Sequence, residues 1–281
     1  MAGRPWVGID VGGTKLLLVA GDGERRVTDR AATGPEAAPD DIERAVRAFL
    51  SRLDGPPAAL GIAIPGLVDE DGRVVACDML PRLAGWRVAD AFADLGCPVR
   101  AVNDAEAALI EEAHDLAPGA TVALVMAGTA VGAAFRVHGL PLRGARGWAG
   151  ELGYLPIAAG DGVRRLDELA GGAAIAARLG TDGAGLRLRA ERGDPDALAA
   201  IREGGEALGL GLAAVANLLN PELIAVGGGA LELPGYEAAA LASAERHSLP
   251  ESWSACAVRR VRAGEAVAAL GAARAAAGPA S

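Results

Sequence analysis

Residues 6–20 read Trp-Val-Gly-Ile-Asp-Val-Gly-Gly-Thr-Lys-Leu-Leu-Leu-Val-Ala, and this stretch decides the fold. Trp6 to Asp10 is a short apolar run ending in a polar residue, the pattern of a strand. Val11-Gly12-Gly13-Thr14 reads as a tight turn and residues 16–20 as a returning strand, so the segment is a hairpin. Residues 25–30 are a candidate third strand. The turn also has a chemical reading. Two residues without a Cβ let backbone N–H groups approach an anion closely, as in loops that cradle phosphates. Asp10 offers a carboxylate to a metal ion or its waters, Thr14 a hydroxyl donor and Lys15 a point charge. Taken alone, the stretch fits an ordinary Gly-Gly turn equally well.

Outward from the hairpin, helical and strand patterns alternate. Residues 40–53 carry Ile42, Val46, Phe49, Leu50 and Leu53 near the helical period, after Pro39. Residues 59–64 form a buried strand closed by Pro65-Gly66, and Val74-Val75 a short one. Residues 88–95 read as a helix. Residues 99–102 form a strand that delivers Asn103-Asp104 to its end, and residues 105–114 a helix. The opening device then returns about 110 residues further on, a sign of two related lobes. Residues 121–126 are a strand, Gly128-Thr129 a turn, and residues 131–137 the returning strand. Helices follow at 166–179 and 196–219. A strand at 223–226 runs into Gly227-Gly228-Gly229. A helix at 236–246, a strand at 257–261 and a last helix at 265–277 complete an α/β pattern.

Composition removes several classes. Of the 281 residues 51 % are apolar and 22 % charged, enough to bury a core. The net charge is −9, opposite in sign to a nucleic-acid footprint. Lys15 is the single lysine among 27 cationic side chains, and it falls inside the turn motif. Cys77, Cys97 and Cys256 are odd in number and far apart, as expected of free thiols in a reducing compartment. His114, His138 and His247 follow no zinc-like spacing, and His114 reads as a surface residue. No basic-plus-apolar leader precedes Trp6. The longest apolar stretch, residues 120–135, is broken by glycines and reads as two strands, so no membrane span is expected.

Three further motifs carry two readings each. Asn103-Asp104 is a helix cap, or a carboxylate at a strand end that takes a proton from a substrate hydroxyl while Asn103 holds a neighbouring one. Gly227–Gly229 is a flexible turn, or a backbone shelf for a base and ribose. Gly150-Glu151-Leu152-Gly153-Tyr154 sets a carboxylate between glycines, either solvated or accepting bonds from sugar hydroxyls. Asp161, Asp167 and Glu168 read as surface or capping charges.

The order of these pieces resembles the ROK family, named for repressors, open reading frames and sugar kinases. The resemblance runs through DVGGTK at 10–15, GIAIPGLVD at 61–69, LAGW at 83–86, NDAEAAL at 103–109, AGTAVG at 127–132, AGELGY at 149–154, LDELAGG at 166–172, AVANLLNPELIAVGGG at 214–229 and ALGAA at 269–273. It implies two actin-like, ribonuclease H-like lobes, each on a mixed five-stranded sheet, with ATP and Mg²⁺ as cofactors. Residues 1–104 with 265–281 would form the small lobe and 105–264 the large one. By the same resemblance Asp104 is the catalytic base. Asp10, Gly12, Gly13, Thr14 and Lys15 form the first phosphate loop, with Asp10 reaching Mg²⁺ through ATP. Gly128 and Thr129 lie in the second loop, and Gly227, Gly228 and Gly229 on the adenosine side. Asn103, Glu151, Tyr154 and Asp167 match sugar-contacting positions.

Departures from the family pattern mark the sugar pocket. Tyr154 stands where a His is usual, and residues 158–165 hold no Cys, so no structural zinc is expected. Asp167 is shorter than the usual Glu, and Arg82 stands where an Asn is common. Ala130, Ala133 and Ala134 replace glycines of the second loop, where a methyl blocks a phosphate oxygen or forbids a positive φ. The resemblance implies a cytoplasmic, glucokinase-like kinase acting on a primary hydroxyl of a hexose, homo-oligomeric, with no nucleic-acid or membrane partner. An amino-sugar, N-acetylmannosamine-like or cyclitol substrate is the narrower alternative. A sugar or nucleotide sensor without turnover is the other. A repressor is disfavoured, since the loop starts at Asp10 and no winged helix-turn-helix is expected ahead of it. A polyphosphate donor ranks below ATP, because no basic channel shows in the sequence.

Overall fold

Strand Trp6–Val11 is apolar at alternate positions on both sides, and Val7, Ile9 and Val11 are fully buried, so it takes the centre of a sheet. In the computed structural model, which describes residues 4–22, 25–160 and 162–278, it pairs antiparallel with Lys15–Gly21 through Val11↔Leu16. The sheet order is Arg26–Ala32, Lys15–Gly21, Trp6–Val11, Ala59–Ile64, Val99–Asn103. Each of the first three strands is antiparallel to its neighbour among them, and the last two join in parallel. A second five-stranded sheet repeats the scheme in the order Leu140–Pro141, Val131–Val137, Val122–Ala127, Leu223–Gly227, Ala257–Arg260. The α/β class and the duplicated device read from the sequence are both present.

The chain divides into two compact units. The first comprises the chain up to Asp115, Gly144–Trp148, and the chain from Arg262 onward. The second comprises Leu116–Arg143 and Ala149–Val261. The division thus falls after Asp115 and before Arg262, whereas the sequence placed it at 104/105 and 264/265. Helix Asp104–Ala113 is the physical reason, because it packs within the first unit.

Close backbone approach builds that unit. Helix Val267–Ala277 lies directly on the first sheet. A Cβ at Gly8 would sit 1.9 Å from the carbonyl oxygen of Ala269, and one at Gly61 1.8 Å from that of Ala272. A Cβ at Gly271 would sit 1.6 Å from the carbonyl oxygen of Ala107, on helix Asp104–Ala113. No side chain fits at any of the three. Helix Pro39–Leu50 covers the sheet with Ile42, Val46 and Phe49 and stops short of the expected Leu53. Glu112 is 0 % exposed and is satisfied by Arg262, whose backbone N–H donates to it over 2.8 Å. Arg262 also pairs with Asp115.

In the second unit the 25-residue helix Pro195–Leu219 presents glycines to helix Tyr236–His247. A Cβ at Gly205 would meet the carbonyl oxygen of Tyr236 at 2.3 Å, and one at Gly209 that of Ala240 at 2.4 Å. Each helical glycine costs roughly 0.5–1 kcal/mol relative to alanine, and the close packing offsets that cost.

Several expected helices differ. Residues 88–95 form a short helix, Val88–Ala91, then a 3₁₀ turn, Ala93–Leu95, because Phe92 turns its ring into the core. Residues 166–179 form two helices, Leu166–Ala170 and Gly172–Arg178, broken at Gly171 with ψ 136°. The last helix opens with a 3₁₀ turn, Gly264–Ala266. Helices Gly183–Glu191 and Pro250–Ala255 and the hairpin Pro156–Ala159/Gly162–Arg165 were not expected. They are short, and the first opens on Gly183 and Gly185, poor helix formers rescued by an Asp182 cap on the Gly185 N–H at 2.7 Å. Among the described residues no helix is long and apolar enough to cross a membrane.

Replacing Gly271 by Val should therefore destabilise the protein by about 3 kcal/mol or more, at the upper end of overpacking. Gly34→Ala, at a glycine with nothing within 4 Å, should leave the denaturation midpoint nearly unchanged. Equal midpoints for both variants would show that the helix does not press on its neighbours.

Candidate active site

Three parallel strands of the first sheet end together. Asp10 is in register with Ala63, and Ile64 with Asn103, so Asp10 and Asn103-Asp104 come to one edge, two strands apart. Neighbouring strands lie about 4.8 Å apart, and the C-terminal edge of parallel strands is where open α/β sheets bind ligands. Both carboxyls there are perturbed. Burial raises Asp10 to about 7, the negative charge of Asp104 adds to it, Lys15 opposes it and Glu265 adds a little. Burial raises Asp104 to about 6, against hydrogen bonds from the Ala105 N–H at 2.8 Å, its own N–H and the Asn103 side chain.

Both readings of Asn103 bear on its geometry. Its Oδ1 accepts from the Glu106 N–H at 3.0 Å and caps helix Asp104–Ala113, while its Nδ2 donates to the Gly66 carbonyl at 3.0 Å. The helix begins at Asp104, one residue earlier than the sequence suggested.

The Gly12-Gly13 turn is held by its surroundings. The Gly12 N–H donates to the Lys15 carbonyl at 2.9 Å, and the Thr33 hydroxyl donates to the Gly12 carbonyl at 2.6 Å. The Thr33 N–H donates to the Thr14 carbonyl at 3.0 Å. A Cβ at Gly13 would lie 2.6 Å from Cε of Met79. Thr14 and Lys15 are exposed. Lys15 Nζ pairs with Glu265 at 3.1 Å, and Arg30 pairs with the same carboxylate. Thr33, Met79 and Glu265 were missed by sequence reasoning, since nothing near the motif signals partners so distant along the chain.

In the second unit Gly128, Thr129 and Gly227–Gly229 share one sheet edge, fixed by the pairing Gly227↔Met126. The Gly172 N–H donates to the Gly128 carbonyl at 2.8 Å, and the Ala173 N–H to the Thr129 carbonyl at 3.2 Å. Gly228, at φ 101°, lies against the Ala127 carbonyl, where a Cβ would sit at 2.2 Å. Gly229 faces open space. Among the described residues the non-glycine residues with positive φ are His138 and Asn220. The methyls of Ala130, Ala133 and Ala134 therefore meet no backbone strain, and that part of the expected obstacle is removed.

Glu151, Tyr154 and Asp167 gather around the 3₁₀ turn Leu152–Tyr154 and helix Leu166–Ala170. Glu151 is exposed, and its carbonyl accepts from the Tyr154 N–H at 3.0 Å. Asp167 accepts from the Val131 N–H and abuts Gly153, so its carboxylate braces the start of strand Val131–Val137. Glu168 caps its helix by accepting from the Arg165 N–H at 3.2 Å. The expected surface charge Asp161 lies outside the described residues. His114 is exposed, and the three cysteines are free thiols, Cys77 being buried. Among the described residues no group of three or more His, Cys, Asp or Glu could hold a metal ion.

The ROK family model matches residues 6–278. This chain belongs to the ROK family. It is 29 % identical over 83 % of its length to the bifunctional enzyme NanE/NanK of Brucella suis, and the match spans 46 % of that protein, just under half. It is 30 % identical to the kanosamine kinase of Amycolatopsis mediterranei, over 81 % of each chain. The crystal structure of a ROK family glucokinase from Streptomyces griseus, in complex with glucose and AMPPNP, has a TM-score of 0.78 at 26 % identity, covering 97 % of this chain and 99 % of that one. The two mixed sheets are thus those of the actin-like fold of ROK kinases. Within this ROK chain, Asp10, Gly12–Lys15, Asn103 and Asp104 belong to the first unit. Gly128, Thr129, Glu151, Tyr154, Asp167 and Gly227–Gly229 belong to the second.

The raised carboxyls give a stability test. A folded-state value near 7 at Asp10, against an ordinary value near 3.8, contributes stability that is full below about pH 4 and is lost as pH rises to about 7. Asp10→Asn removes that loss. The gain in Tm over the parent should be larger at pH 8 than at pH 5. An equal gain at both values would show that ionised Asp10 is not disfavoured by burial.

Proposed function

We propose that this chain is a kinase that transfers the terminal phosphoryl group of ATP to a primary hydroxyl of a hexose, with Asp104 as general base. The observation that carries the reading is the buried carboxylate pair Asp10 and Asp104 at one sheet edge, beside a turn with two glycines. Family membership and the kinase relatives support it. Phosphoryl transfer asks the protein mainly to position groups and stabilise charge, with one carboxylate orienting the nucleophile.

In this reading the Asp104 carboxylate accepts the proton of the attacking hydroxyl as that oxygen bonds to the terminal phosphorus. The bond to the β-phosphate oxygen breaks, and ADP leaves. A value near 6 leaves Asp104 ionised at neutral pH and still basic enough to take the proton. Asn103, Glu151, Tyr154 and Asp167 contact the sugar. Gly12, Gly13, Thr14 and Lys15 hold phosphate oxygens, with Gly128 and Thr129 as the second loop and Gly227–Gly229 beside the adenosine. The donor set fits Mg²⁺, which takes one or two carboxylates with phosphate oxygens and waters. Asp10 is the carboxylate that would hold it, and the like charge of Asp104 beside Asp10 favours a cation there. When bound, Mg²⁺ supplies charge neutralisation on the phosphates. A cytoplasmic, homo-oligomeric enzyme is part of the same proposal.

An amino-sugar substrate is the second reading. It is favoured by the similarity to a kanosamine kinase and by Asp167, whose carboxylate is committed to the Val131 N–H. A site that leaves one buried hydrogen-bonding group unmatched discriminates by about 1–3 kcal/mol.

ADP release with Mg²⁺-ATP should be followed for glucose, mannose, N-acetylmannosamine, N-acetylglucosamine, fructose, allose, kanosamine and cyclitols. One member should dominate, and its identity decides between the two readings. Asp104→Asn should lower kcat about 10²–10⁴-fold with Tm preserved, and parental kcat should climb as pH rises through about 6. ATP binding without turnover on any sugar would replace the kinase by a sensor.

A further inference from the structure

Tyr154 is a large aromatic side chain left 60 % exposed. Its surroundings nevertheless fix it. Its turn is closed by bonds of 3.0 Å from the Tyr154 N–H to the Glu151 carbonyl and from the Leu155 N–H to the Leu152 carbonyl. The Arg165 guanidinium lies 4.9 Å from the centroid of its ring, within cation–π range. Arg165 is held twice by one carboxylate: its Nε donates to Glu168 Oε1 at 3.1 Å and its N–H to Oε2 at 3.2 Å. The Leu166 N–H donates to the Leu155 carbonyl at 2.9 Å and ties the hairpin that carries Arg165 to the turn that carries Tyr154.

Glu168, Arg165 and Tyr154 therefore form one stack. Within it the guanidinium charge is balanced by the carboxylate. An exposed aromatic ring with its rotamer already fixed adds contact area at little entropic cost. It suits the apolar C–H face of a pyranose, since Tyr presents an apolar body and a polar tip. The balanced ion pair matches a sugar without an acidic group; an acidic one would call for an unpaired cation.

We propose that Arg165, held by Glu168, is a positioning residue that fixes Tyr154 as a rigid wall against the ring of a sugar that carries no acidic group. The inference rests on reading the chain as a sugar kinase with Tyr154 at the sugar. It adds Arg165, which neither the motifs nor the comparisons single out.

The test uses the full chain and the variants Arg165→Ala and Arg165→Lys. KM and kcat are measured for glucose, N-acetylmannosamine and kanosamine, with calorimetric Kd values for the same sugars. Arg165→Ala should raise sugar KM and Kd about fivefold, the scale of ordering one released side chain. Its kcat, its KM for ATP and its Tm should stay near parental values. Arg165→Lys should recover part of the loss, because it keeps the cation and loses the planar fork. Unchanged sugar KM and Kd in Arg165→Ala would overturn the inference and leave the kinase reading standing. Weakened sugar binding in a protein that turns over none of the three would keep the inference and remove phosphotransfer. Failure of the parent to bind any of the three would overturn it.

Discussion

The backbone contact of helix Val267–Ala277 with the first sheet is the constraint on which the rest depends. It requires Gly8 and Gly61 on neighbouring strands and Gly271 on the helix. Gly8 precedes Asp10 by two residues on one strand. Ala107, the partner of Gly271, follows Asp104 by three residues on its helix. The same contact therefore sets the strand that carries Asp10 near its end and the helix that starts at Asp104. Desolvation is the largest cause of both raised carboxyls. Packing and site chemistry are here one arrangement, reached only when the C-terminal end of the chain has joined its N-terminal end.

The second unit applies the same rules with different residues. Its sheet has the same order and the same parallel and antiparallel steps. Glycines again let backbone meet backbone, at Gly205 and Gly209 between helices and at Gly228 beneath the sheet edge. The two edges differ in chemistry. The first ends in carboxylates, the second in glycines and a hydroxyl.

The fold was legible wherever one local rule governed. The hairpin at 6–20, the strand at 59–64 and its second-unit counterpart at 121–137 followed from apolar runs and paired glycines. The breaks at Phe92 and Gly171 were not legible, because buried neighbours impose them: the core takes the Phe92 ring, and carbonyls of Asp167 and Thr129 crowd Gly171. The site was legible as residue types and not as partners. Asp10 and Asp104 stood out as carboxylates at strand ends. Glu265 holds the lone lysine and Arg165 covers the Tyr154 ring, and each partnership is set by tertiary contact alone. Asn103 and Asp167 show a finer limit. Asn103 meets its reading as a cap, whereas Asp167, read as a surface or capping charge, braces the distant Val131 N–H.

Charge gives the last step. A chain with net charge −9 is a poor general attractor for a polyphosphate. Its only lysine is shared with Glu265, whose carboxylate also takes Arg30. Whatever holds an anion near Asp10 must then draw heavily on fixed backbone N–H groups, which carry no net charge, need no counterion and stay in place as charge moves during transfer. The two buried carboxylates oppose both folding and an anionic ligand unless a cation or a proton answers them. Residues that work against stability and against the substrate at once persist most readily where the reaction itself uses their charge. In the kinase reading proposed above, proton acceptance at Asp104 and a cation at Asp10 are those uses.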